Sequence, residues 1–126
     1  MFLLPLALTV LFVPETDTIT FANCERMQDY NRGMKCDVTN HTSTALSAIR
    51  FDVLARDANR TIPWHSLDDV GNDLFGARIS GGLEPEEELN LLIHIPALNE
   101  RAQDDTLILE LHNLRLEGPE GAPVAH

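Results

Sequence analysis

The sequence predicts an all-β domain of about seven short antiparallel strands, and three observations carry that prediction. Apolar and polar residues alternate at period two in the runs 34–39, 49–56, 89–95 and 107–112, as in strands with one buried face. Turn-forming clusters of Asn, Asp, Gly and Pro separate the runs at intervals of about ten residues. No segment of helical length holds a convincing 3.6-residue apolar period, so a parallel α/β sheet would lack its crossover helices. Two packed antiparallel sheets, an immunoglobulin-like β-sandwich, are the architecture that fits this spacing. A chain of 126 residues suffices for one such domain and one core.

The elements follow in order. Residues 2–13 (FLLPLALTVLFV) are apolar except for Thr9, and Pro14, Glu15 and Asp17 come directly after. As a helix this run would cover about 18 Å of a hydrocarbon layer about 30 Å thick, so no stable membrane span is expected. Its length is that of the apolar region of a signal peptide, and residues 1–17 are expected to be removed on export, with cleavage as late as residue 22. Two features run against a leader: no Lys or Arg precedes the run, and no small-x-small triplet follows it closely. The alternative is a buried first strand, which Pro5 makes a poor central one.

Residues 18–23 (TITFAN) form the next expected strand, with Ile19 and Phe21 on one face. Met34, Cys36 and Val38 face inward in the strand after it, and residues 40–44 (NHTST) make a turn. The run 49–56 has the cleanest pattern, with Ile49, Phe51, Val53 and Ala55 on one side and Arg50, Asp52, Leu54 and Arg56 on the other. A turn at 57–59 (DAN) leads to Thr61 and Ile62, read as the start of a return strand that Pro63 ends. Periodicity is lost from 64 to 76, the longest expected loop. Residues 77–80 are read as a short edge strand ahead of Gly81 and Gly82, and 83–88 as an acidic turn. Leu89, Leu91, Ile93 and Ile95 mark a further strand, and Leu107, Leu109 and Leu111 the inner face of a last one reaching Leu116. The domain is therefore expected over 18–116, with 117–126 (EGPEGAPVAH) a disordered tail.

Eleven residues separate Cys24 from Cys36, too many for a metal-binding pair. If the flanking segments pair as a hairpin, the thiols come within reach of a disulfide. Closing that loop contributes on the order of 3 kcal/mol in the chain-entropy model, and an oxidising compartment is then required. Nucleophilic chemistry at either thiol is disfavoured by the absence of a neighbouring His and by acidic surroundings.

The segment 38–62, VTNHTSTALSAIRFDVLARDANRTI, combines a strand ending in V-x-N, a polar turn, a long alternating strand and a D-x-N turn. In this it resembles the small exported immunoglobulin-like domains of the FxLYD type, in which such a turn joins strands B and C. A leucine-proline-glycine-glutamate turn of that family has its counterpart in 83–87 (LEPEE). The chain departs from the pattern at Ala55, Arg56 and Asp57, where the family shows leucine-tyrosine-aspartate, and at Glu86, where it favours glycine. The resemblance covers about half of residues 18–126 and implies a binding or structural domain without enzymatic activity, and it passes on no functional residues; no cofactor is expected.

Twenty acidic residues against nine basic ones give a net charge of -11, which disfavours nucleic acid and anionic membrane as partners. The expected partner is another protein, and the candidate contact surface is Trp64 with His65 and Phe75 beside the long loop, since a single buried-edge aromatic commonly anchors an interface. The rival reading is a periplasmic metal- or small-ligand-binding protein. His94, Glu110 and His112 lie on the outward side of two strands and would face one ion if those strands were adjacent. Asp68, Asp69, Asn72 and Asp73 lack the spacing of a calcium loop. Asn40 and Asn59 each begin an N-x-T acceptor pattern that is also an ordinary turn. No nucleophile motif is present, and no catalytic residue is assigned.

Overall fold

The alternation in 49–56 lies within the longest of the described strands. The computed structural model describes residues 11–14, 17–27, 33–67, 75–95 and 107–124. The strands are β1 (Leu11–Pro14), β2 (Ile19–Arg26), β3 (Gly33–Asn40), β4 (Leu46–Asp57), β5 (Gly76–Leu83), β6 (Glu88–His94), β7 (Leu107–Glu117) and β8 (Pro123–Val124), the last preceded by a 3-10 turn at Pro119–Gly121. The expected all-β class holds, and among the described residues no helix is long and apolar enough to cross a membrane.

The strands form one curled sheet, half a barrel, in the order β1-β7-β4-β5-β6-β3-β2, with β8 beside β7. Among the described residues all pairings are antiparallel except that of β1, which runs parallel to β7 from Leu11↔Ile108 to Pro14↔Leu111. The seam between β5 and β6 is the single pair Gly76↔His94, so a β2-β3-β6 group and a β1-β7-β4-β5 group meet in the sheet at one point. Across the interior the groups touch again: the Phe21 ring of β2 meets the Phe51 ring of β4 edge-on, centroids 6.3 Å apart. Ile19, Met34, Val38, Phe51, Val53, Phe75, Ile93, Leu109 and Leu111 fill the core between them.

Two bulges set which side chains enter that core. On β2, Asn23 and Cys24 together oppose Cys36, because the register passes from Ala22↔Asp37 to Glu25↔Lys35. Asn23 takes the left-handed backbone (φ 53), which turns Cys24 inward onto Cys36, and the two form a disulfide with Cα atoms 4.1 Å apart. The expected pairing is thus present, within the buried cluster. On β7, Asn113 (φ 52) and Leu114 together oppose Phe51, and the buried positions change from 107, 109 and 111 to 114 and 116.

Three expectations are corrected. Thr61 and Ile62 begin no strand; the segment bends, Ile62 is 75% exposed, and only His65 bridges back to Ala55. Gly81 and Gly82 lie within β5 rather than after it, bulging at φ 84 and 80 between the pairs Ala48↔Arg78 and Leu46↔Leu83. The tail is ordered through Val124, because β8 pairs with β7 at Leu116↔Val124 and Glu117↔Pro123. The Ser47 hydroxyl also donates to the Gly118 carbonyl at 2.7 Å.

Candidate functional site

The segment after β4 is folded back by local hydrogen bonds. Asp57, buried at the strand end, accepts the Asn59 amide on Oδ1 at 3.0 Å and the Trp64 indole N–H on Oδ2 at 3.0 Å. The first is the Asx turn that a D-x-N sequence favours; the second pins the indole. The backbone of Trp64 and His65 then returns to Ala55 through two bonds of 2.9 Å. Arg60 lies over the indole with its guanidinium carbon 4.3 Å from a ring centroid, a cation–π contact.

The three residues expected at a partner surface therefore separate. His65 and Phe75 are buried and pack against one another with their rings tilted, centroids 5.2 Å apart, so they offer the exterior almost nothing. Trp64 is half-buried against the core, with its face capped by Arg60. What projects is Ile62, with Leu67 partly exposed beyond it. Neither stands out in the sequence: Thr61 and Ile62 have the composition of a strand start, and Leu67 lies in a run without periodicity. Beside this turn is a cleft of about 260 Å³ lined by Arg56, Asp57, Arg60, Thr61, Pro63 and Ile108. Two of the chain's nine basic residues face it, each already engaged: Arg60 on Trp64, and Arg56 with Nε 2.8 Å from Glu110 Oε2.

The metal-ligand expectation needed adjacent strands, and the topology denies it. His94 sits exposed on β6, while Glu110 and His112 are on β7, with β5 and β4 between the two strands. Glu110 is occupied by Arg56 on one oxygen and by His112 Nε2 at 3.1 Å on the other. Among the described residues no group of three or more His, Cys, Asp or Glu side chains is placed to hold a metal ion. Asp68, Asp69, Asn72 and Asp73 lie outside the described residues.

The two N-x-T acceptors also differ. Asn59 is exposed on its turn, whereas Asn40 is fully buried at the end of β3. The Asn40 amide nitrogen donates to the carbonyls of Thr44 and Leu83, both at 2.9 Å, while its oxygen accepts the Thr42 amide at 2.8 Å and hydroxyl at 2.7 Å. Asn40 is thus the clamp that joins the β3–β4 turn to the end of β5. On the outer face of β3, Asp37 accepts the side-chain amides of Asn23 at 2.8 Å and Asn90 at 3.0 Å, which hold its carboxyl below the ordinary value of 3.8. Comparison with protein-family models, curated proteins and solved structures yields no match.

Proposed function

We propose that the chain is an exported immunoglobulin-like domain of the FxLYD type, without catalytic activity, that acts in the periplasm or outside the cell by binding another protein. The observation that carries this reading is the Cys24–Cys36 disulfide inside the core, because such bonds persist in oxidising compartments. The two strand groups joined at Gly76↔His94 and packed through Phe21 on Phe51 fit a two-layer sandwich. The surface we assign to the partner is the turn after β4, where Ile62 projects beside the braced Arg60–Trp64 pair, an apolar and aromatic anchor of the kind that dominates interfaces. Three histidines have structural partners instead of a nucleophile: His41 lies within 3.2 Å of both Thr20 and Glu86, His65 packs at a tilt against Phe75, and His112 contacts Glu110.

The test is alkylation of the protein recovered from its native host, without and with prior reduction, read by intact mass. Both thiols are expected to react only after reduction, in a chain that has lost its leader. Freely alkylated thiols in a full-length chain would place the protein in a reducing compartment and overturn the reading.

A further inference from the structure

The β7 strand has two edges, and they are covered differently. One is bonded along its length to β4, from Asp57↔Leu107 to Ala48↔Glu117. Among the described residues the other is covered by two short pieces, β8 at Leu116 and Glu117 and β1 at residues 108–111. β1 belongs to the apolar run expected to be removed as a leader. Among the described residues it pairs with no other strand, lies at the end of the strand order and is the one parallel member of the sheet. Its removal therefore breaks no other pairing, but it strips the hydrogen-bond partners from an edge behind which Leu107, Leu109 and Leu111 are buried. Unpaired backbone at a sheet edge over apolar side chains is a template for another strand.

We propose that the β7 edge at residues 108–111 is a strand-acceptor site: in the processed protein an extended apolar peptide of a partner pairs there, parallel to β7, in the place that Leu11–Pro14 occupies. This rests on the export reading above. The occupant's chemistry follows from the segment seated there, L-F-V-P, whose backbone supplies the hydrogen bonds while its apolar composition suits an edge bordering the core. A second processed copy has no such segment to lend, so the strand comes from a different chain.

The experiment uses the mature protein isolated from its native host, with its N-terminus defined by mass. Hydrogen exchange is followed at 108–111 without and with a synthetic peptide of residues 9–14 (TVLFVP) carrying solubilising lysines. Fast exchange without the peptide and saturable slowing of about tenfold or more with it are expected. A peptide carrying Phe12→Pro and Val13→Pro, which lacks the amides needed for pairing, is expected to give no slowing. A processed chain whose exchange the first peptide leaves unchanged overturns the acceptor site and leaves the export reading standing. So does an edge already protected in a dimer, seen by sedimentation, since the partner is then a second copy. A mature chain that still carries residues 11–14 overturns the export reading and the site with it.

Discussion

Asn40 concentrates at one residue what the polar interior of this domain must satisfy. Its amide nitrogen and oxygen are both matched in full, and the groups it serves belong to two different connections. Replacing it with Ala removes those bonds and leaves the Leu83 carbonyl without that donor in a site closed to water, a loss of about 2–4 kcal/mol. Urea denaturation is expected to show a lower midpoint at unchanged slope. Asp37 provides a second residue-scale prediction. Because the Asn23 and Asn90 amides favour its ionised form, its pKa is lowered in the fold relative to the unfolded chain. It therefore contributes stability above the unfolded value, and that contribution disappears as pH falls through the lower folded value. Asn90→Ala should move the Asp37 midpoint back toward 3.8 in a carboxyl-carbon NMR titration. An unchanged midpoint would mean that the amide contact has no influence on the carboxylate.

At the scale of elements, the seam between the strand groups turns on Gly76. It pairs with Arg50 on one side and His94 on the other at φ 137, and a Cβ there would lie 2.0 Å from the Ile49 carbonyl oxygen. Because that obstacle is backbone, Gly76→Ala should cost about 3 kcal/mol or more. Gly121, also at positive φ but facing open space, should cost about 1 kcal/mol on the same substitution, so paired thermal melts separate steric collision from backbone preference alone. The alternating inner faces at 34–38, 49–55 and 107–111 were legible in the sequence because strands with one buried face write their period directly. The Cys24–Cys36 pairing was legible through hairpin geometry. The inward switch at Leu114 and Leu116 was not, since a bulge shifts the parity by one residue without leaving a gap in composition. Gly81 and Gly82 read as a break for the same reason, although their positive φ lets β5 bulge and resume at Leu83. The histidine site failed at this scale too: each strand's outward face was read correctly, but strand order is a property of long-range pairing that no local pattern encodes.

At the scale of the whole molecule, the question is whether two strand groups that share one backbone pair unfold as one unit. The interior answers through Phe51, fully buried on β4, against which Phe21 packs edge-on from β2 at the far end of the strand order. Edge-to-face aromatic pairs add about 0.5–1.5 kcal/mol beyond their buried area, and this one spans the curl rather than following it. Phe51 also lies opposite the Asn113 and Leu114 bulge, where β7 changes the parity of its buried positions. Phe51→Ala should therefore cost about 3–5 kcal/mol, the range for deleting a buried aromatic ring. The lone Trp64 reports on the β4 side through its fluorescence, while far-UV circular dichroism reports on all strands. If the core couples the groups, both signals have one midpoint in the parent, and the substitution lowers them together. Were the groups independent, the variant would lose its tryptophan transition at low denaturant while the β2-β3-β6 group, held by its disulfide, persisted to a later midpoint. Coincidence in both proteins is the expected result, because one continuous buried cluster draws its side chains from both groups, while in the sheet they share only Gly76↔His94.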